Sequence, residues 1–143
     1  LNKSYKPGDR VVLNIMFTAN WLVQRINQAL RPFGITEPQF NVLRILRGQH
    51  GRALNLFQIR ERMIHRTSNT TRIIDKLRQK GLIEQQLCPS NRRRVEVSIT
   101  GKGLDLLLQI DPVMTELQAR SIKNISPEEA RTLNEILDKL RND

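Results

Sequence analysis

NLFQIRERMIHRTSNTTRIIDKLRQKGLIEQQLCPSNRRRVEVSIT, residues Asn55–Thr100, changes its periodicity part-way along. Asn55, with Gln58 three residues on, has the spacing of a helix N-cap, and Leu56, Ile59 and Met63 share one face of the short helix it opens. Ile64-His65-Arg66 reads as a turn. Thr67 or Ser68 is placed to cap a second helix, whose apolar positions are Ile73, Ile74 and Leu77, with Thr70 one turn before. Removing that buried stripe leaves Ser68, Asn69, Thr71, Arg72, Asp75 and Lys76 facing outward. Gly81 stops the helix. The period then falls to two: Leu82–Leu87 and Val95–Ile99 read as short strands, with Val95, Val97 and Ile99 alternating with Glu96 and Ser98. The connection from Cys88 to Arg94 holds turn formers and then Arg92, Arg93 and Arg94.

Two helices joined by a tight turn, followed by a hairpin with a cationic tip, form the pattern of a winged helix-turn-helix. A major groove of about 12 Å accepts one helix, provided its outer face carries short polar groups. Ser68, Asn69, Thr71 and Arg72 fit that need: Asn can read adenine and Arg guanine, each through two hydrogen bonds. A narrow minor groove draws in arginine, which suits Arg92, Arg93 and Arg94 on a hairpin. Arg66 and Thr67 at the turn and Lys76 on the outer helix face complete the expected DNA-contacting set. By composition alone an arginine run is more often a solvated loop. Its place between two strands, downstream of a helix-turn-helix pattern, favours DNA contact. Asp75, among cations, is expected to pair with Arg72 or Arg78.

Charge is graded along the chain. Residues 52–102 carry a net +8, residues 1–51 +5 and residues 103–143 −3, within a total of +10. Concentrated positive charge attracts polyanions, and the sequence pI of about 10.8 points to nucleic acid ahead of an anionic membrane surface.

On the N-terminal side, Val12, Ile15, Met16, Ala19, Leu22, Val23, Ile26 and Leu30 form a helical stripe over residues 10–31. Val11, Leu13, Phe17 and Trp21 add apolar surface off that stripe, so either a partner subunit covers a second side or Phe17 and Trp21 are ordinary core residues. Pro32 and Gly34 end the helix. Thr36 and Gln39 have capping-box spacing, and Phe40, Val42, Leu43 and Leu46 give the next helix its buried face, closed by Gly48 and Gly51. On the C-terminal side, Thr100 caps a long helix through Leu104, Leu107, Leu108 and Ile110, which Pro112 should kink or divide. Ser126-Pro127-Glu128-Glu129 starts a last helix with Leu133, Ile136, Leu137 and Leu140 on one face.

Length and composition bound the alternatives. With 143 residues, 38% of them apolar, the chain reads as one domain. Aromatics at 4% are too few for a base-stacking single-strand platform. No apolar run approaches the ~20 residues of a membrane span, and residues 1–10 lack a signal-peptide pattern. A single cysteine, Cys88, excludes an internal disulfide and suits a reducing cytosol; the expected location is the cytoplasm. Cys88 is a candidate redox thiol because arginines follow it, although an inert residue is the preferred reading. His50 and His65 lack metal-ligand spacing, and no metal or other cofactor is expected. There is no Gly-rich phosphate loop, GxSxG, HExxH or Cys-His constellation, so no enzymatic activity is expected.

At ERM-x3-TSN-x-TRIIDKL-x2-KGLIE (61–84) and CPSNRRRVEVSITGKG (88–103) the chain resembles the multiple-antibiotic-resistance regulator (MarR) family. The flanking helices match that family in number, order and length. The resemblance implies a mainly α fold with a small β-wing in one domain spanning 1–143. Residues 36–100 would form the winged helix-turn-helix lobe, and helices at 10–33 and 101–143 would interlock into a homodimer. It further implies that the helix at Thr67–Gln79 enters the major groove and that Arg93 enters the minor groove. The function implied is repression at a pseudo-palindromic double-stranded operator, relieved by a small, often aromatic or phenolic effector between the dimerisation helices and the lobe. Met16, Phe17, Trp21 and Phe40 are the apolar candidates for that pocket. The family often has Asp two residues before the tip arginine. Here the position is Asn91, which can hydrogen-bond but cannot form an ion pair. The alternative reading is an architectural or nonspecific DNA-coating protein; a module for an acidic protein or membrane partner comes third.

Overall fold

The computed structural model describes residues 6–66 and 69–142. In chain order these form α1 (Pro7–Leu30), a 3-10 turn (Arg31–Phe33), α2 (Glu37–Arg47), β1 (Leu54–Asn55), α3 (Leu56–Arg62), α4 (Thr70–Gln79), β2 (Ile83–Cys88), β3 (Asn91–Ile99), α5 (Gly101–Ser121) and α6 (Pro127–Arg141). The architecture is mainly α with a small antiparallel sheet, as expected. Among the described residues no helix is long and apolar enough to cross a membrane.

Local chemistry accounts for most boundaries. Reciprocal capping boxes open α2 (Thr36 with Gln39), α3 (Asn55 with Gln58) and α6 (Ser126 with Glu129), each satisfying two otherwise orphaned backbone donors. Thr100 caps α5 by accepting from the Gly103 N–H. α1 begins at Pro7, ahead of the expected position 10, because proline's fixed φ suits the first helical position. Gly34 closes the 3-10 turn at φ 72°, a left-handed conformation that glycine adopts without penalty.

Three expectations are corrected. The cap of α4 is Asn69, whose side chain accepts from the Arg72 N–H; Thr67 and Ser68 lie outside the described residues. Asparagine caps at least as well as serine or threonine, and this start buries Thr70 against the Met63 sulfur. The sheet has three strands, in the order β1-β3-β2, rather than two. β1 is only Leu54–Asn55, paired with Val97 and Glu96, and is too short to show alternation. Of the two outcomes expected at Pro112, a kink or a division, the division does not occur: α5 runs unbroken through it. Proline removes one ladder hydrogen bond, but Ile110 and Met114 on either side are both buried and hold the helix together.

One core joins the elements. Leu30 of α1, Leu43 of α2, Ile59 of α3, Ile74 of α4, Val97 of β3 and Leu107 of α5 are all fully buried in it. Gly103 brings α5 against the sheet so closely that a Cβ there would lie 2.3 Å from the Leu82 carbonyl oxygen. By contrast α6 buries no residue. Its Leu133, Ile136 and Leu140 are exposed, as are Val12, Leu13, Met16 and Phe17 of α1. A groove of about 630 Å³ lies between these two helices. Phe17, 77% exposed, is therefore not a core residue of this chain; Trp21 is 39% exposed beneath the Arg25 guanidinium.

Candidate nucleic-acid interface

α3 and α4 present a helix-turn-helix whose inner faces are anchored in the core. Ile59 and Met63 bury α3, and Thr70, Ile74 and Leu77 bury α4. The turn is fastened from behind, because the Ile64 N–H donates to Asn41 Oδ1 of α2 at 3.0 Å. Arg66 projects from this turn. On the outer face of α4, Thr71, Arg72 and Lys76 are exposed. Asp75 is half-buried and lies 3.7 Å from the Arg78 guanidinium, so of its two expected partners it takes Arg78.

The role expected of Asn69 changes. Its Oδ1 accepts from the Arg72 N–H at 3.2 Å. Two-point recognition of adenine needs that same oxygen, so in this geometry Asn69 offers only amide N–H donors outward. Of the expected helix contacts, Thr67 and Ser68 lie outside the described residues, while Arg66 in the turn and Thr71, Arg72 and Lys76 on α4 are exposed.

The wing departs from expectation in a useful way. Its turn is Pro89-Ser90, and β3 already begins at Asn91. The arginines are therefore in a strand rather than at a loop tip. Leu87 pairs with Val95 and Cys88 pairs with Asn91, so Arg92, Arg93 and Arg94 have no counterparts on β2. They form a bulge, and all three are exposed. Bulges re-aim side chains and break pairing locally, which here frees the arginines from the ladder. Asn91 secures the bulge, its Oδ1 accepting from the Arg93 N–H at 3.1 Å. The position where the family often has Asp thus braces the wing through a hydrogen bond. Arg93 and Arg94 also line a groove with Asn55 and Phe57, placing the bulge beside the start of α3.

Cys88 is buried, with its sulfur 3.2 Å from the Ser90 hydroxyl across the turn. Burial favours the inert reading over a redox thiol. Lys80 and Lys102 serve the fold: Lys80 Nζ donates to the Gly34 carbonyl, and Lys102 Nζ to the Lys80 carbonyl at 2.8 Å. Among the described residues no group of three His, Cys, Asp or Glu side chains could hold a metal ion.

Two features were not legible in sequence. Glu37, at the start of α2, is buried, and burial raises its carboxyl pKa above the usual value, partly opposed by His65. His65 Nε2 lies 3.8 Å from Glu37 Oε2, bringing the turn before α4 against a buried carboxyl. The second feature is the set of clefts between the lobe and the long helices. One of about 530 Å³ is lined by Phe33, Ile35, Leu82 and Leu106 with Lys102 and Asp105. Another, of about 620 Å³, is lined by Asn27, Arg31 and Gln39 and reaches Lys76 and Gln79 of α4. Met16, Phe17, Trp21 and Phe40 line neither. Phe40 is in the core, and the other three lie exposed along α1. The expected grouping of these four into one pocket is therefore not what the structure shows, because Met16, Phe17 and Trp21 lie outside the core that holds Phe40.

The MarR family model matches residues 35–95, from the end of the first loop to the start of β3's paired segment. The uncharacterized HTH-type transcriptional regulator YkoM of Bacillus subtilis (strain 168) is 31% identical over 106 residues, which cover 74% of this chain and 68% of that protein. The chain belongs to the MarR family. MarR-family proteins are DNA-binding transcription regulators, not enzymes. A second relative, the HTH-type transcriptional repressor IacR of Pseudomonas putida, is 27% identical over 115 residues, 80% of this chain and 68% of IacR. Among solved structures, Bordetella bronchiseptica BpsR, whose DNA binding is regulated by 6-hydroxynicotinic acid, matches with a TM-score of 0.83. It covers 93% of this chain and 99% of its own at 22% identity, a likeness of fold. The winged lobe and long flanking helices of this chain are thus the MarR architecture.

Proposed function

We propose that this MarR-family regulator is a homodimeric repressor that occupies a pseudo-palindromic operator and releases it when a small ligand binds. The observation that carries the reading is the pairing, on one lobe, of an exposed polar helix face with an arginine bulge. Arg72 and Lys76 on α4 suit the major groove, and Arg92–Arg94 on β3 suit the minor groove or its phosphates. Arg66 and Thr71 add contacts from the turn and the same face.

The dimer is supported by the uncovered apolar faces of α1 and α6, which in a single chain remain in water. Two copies would place two α4 helices on half-sites roughly 34 Å apart. Repression agrees with the repressor IacR among the relatives. Ligand release agrees with the clefts flanking α4 and with BpsR. A ligand that prefers one lobe position lowers DNA affinity by its differential affinity for the two states. The Arg31, Lys76 and Lys80 cations beside one cleft favour an anionic effector, such as an aromatic carboxylate or phenolate. The protein would act in the cytoplasm, where such operators are.

The test is selection of bound duplexes from a random pool at fixed salt. A two-fold-symmetric consensus bound far better than random duplex is the expected result. Equal binding of consensus and random duplex, with the same steep salt dependence, would instead mark a nonspecific coating protein.

A further inference from the structure

α2 and α5 are joined by a contact between residues far apart in sequence. Arg47, the last residue of α2, grips Asp111 of α5 through both of its terminal nitrogens. NH1 donates to Oδ1 at 3.1 Å and to Oδ2 at 2.8 Å, and NH2 donates to Oδ1 at 3.1 Å. A two-pronged guanidinium–carboxylate pair fixes orientation as well as distance, which a lysine ammonium cannot do.

The position of this fork is as informative as its geometry. Asp111 immediately precedes Pro112, inside α5. Proline has no N–H, so the Leu108 carbonyl loses its usual partner and the helix ladder is one bond short at this turn. Within α5 the Thr115 hydroxyl also donates to the Asp111 carbonyl at 3.0 Å, a side-chain bond of the kind that lets a helix bend. The fork thus grips α5 at the turn where its ladder is one bond short. From Arg47 the attachment continues through α2, which holds the turn before α4 by the bond from Ile64 to Asn41.

We propose that the Arg47–Asp111 fork is a positioning latch: it fixes the angle of the DNA-binding lobe on α5, and so sets which half-site spacing a dimer accepts. The inference rests on the operator-binding dimer proposed above. It also explains why so specific a contact is only half-buried, with Arg47 and Asp111 side chains 33% and 41% exposed. Such pairs add little to global stability, whereas the core residues Leu107 and Ile110 already hold α5 to the lobe. What a half-exposed fork can add is direction.

The experiment uses the full chain and a random duplex pool, and it reads the half-site sequence and the half-site spacing separately. Wild type should return one half-site sequence at one spacing. Arg47→Lys keeps the charge but removes the fork. It should return the same half-site sequence spread over neighbouring spacings, with affinity for the wild-type spacing lower by about fivefold. The swap Arg47→Asp with Asp111→Arg should narrow the distribution again, while either reversal alone should broaden it. Circular dichroism and sedimentation on the same proteins check that fold and dimer persist. If Arg47→Lys is folded, dimeric and as selective for spacing as wild type, the latch is overturned and the operator reading stands. If wild type itself shows no paired half-sites, the operator reading fails and takes the latch with it.

Discussion

The DNA-binding lobe and the α1–α6 end of the molecule use apolar residues in opposite ways. In the lobe, Ile59, Ile74, Leu77 and Val97 are fully buried within the chain, and the outer face of α4 is polar and cationic. At the other end, Leu133, Ile136 and Leu140 of α6 have the same helical spacing but stay exposed, facing a groove shared with Val11 and Ile15 of α1. The two stripes are equally regular in sequence. Only the first is completed by this chain. An amphipathic helix whose apolar face finds no cover in its own chain is the observation behind the proposed dimer.

The largest expected effect tests that contrast directly. Removing residues 126–143 should abolish dimerisation, with sedimentation showing a monomer; a dimeric truncated protein would place the interface elsewhere. Next in size is Gly103→Ala, where α5 packs against the lobe's sheet. A Cβ there meets the Leu82 carbonyl at 2.3 Å and Ile99 Cγ1 at 2.7 Å, so stability should drop by about 1–3 kcal/mol in denaturant unfolding. The two arginine sites should separate without either one unfolding the lobe. Arg72→Ala should cost ~1–3 kcal/mol of discrimination between consensus and random duplex. Arg93→Ala should weaken binding to all sequences and lower the salt slope by about one. An unchanged ratio in the first, or an unchanged slope in the second, would remove that residue from the interface.

The smallest effect concerns the buried carboxyl under the helix-turn-helix. Because the folded-state pKa of Glu37 is raised above 4.5, folding favours its protonated form. Its contribution to stability is therefore fully present below about pH 4.5 and is lost as pH rises through the raised value. Glu37→Gln should make the protein more stable than wild type near neutrality, with the gap closing in acid. Melting curves across that range give the answer, and a gap that widened in acid would mean that the His65 contact outweighs burial.

Much of the fold was legible because helix boundaries depend on near neighbours. Thr36 with Gln39, Asn55 with Gln58, Thr100 and Ser126 with Glu129 all cap where their spacing said they would. The winged pattern and its cationic hairpin were legible for the same reason. The site was less so. Both Ser68 and Asn69 satisfy the rules for a cap, and β1 is too short to announce itself.

What the sequence by itself determined is the family, the order of helices, the buried stripe of α4 and the charge gradient toward the winged lobe. These rest on composition and on contacts within a turn or two of chain. Tertiary structure alone decided that Arg92–Arg94 leave the ladder as a bulge. It also decided that His65 meets Glu37 and that Arg47 grips Asp111. Each of these depends on where a second segment lies in space. Strand register and long-range ion pairs are set by the packing of the common core, and no local spacing encodes them.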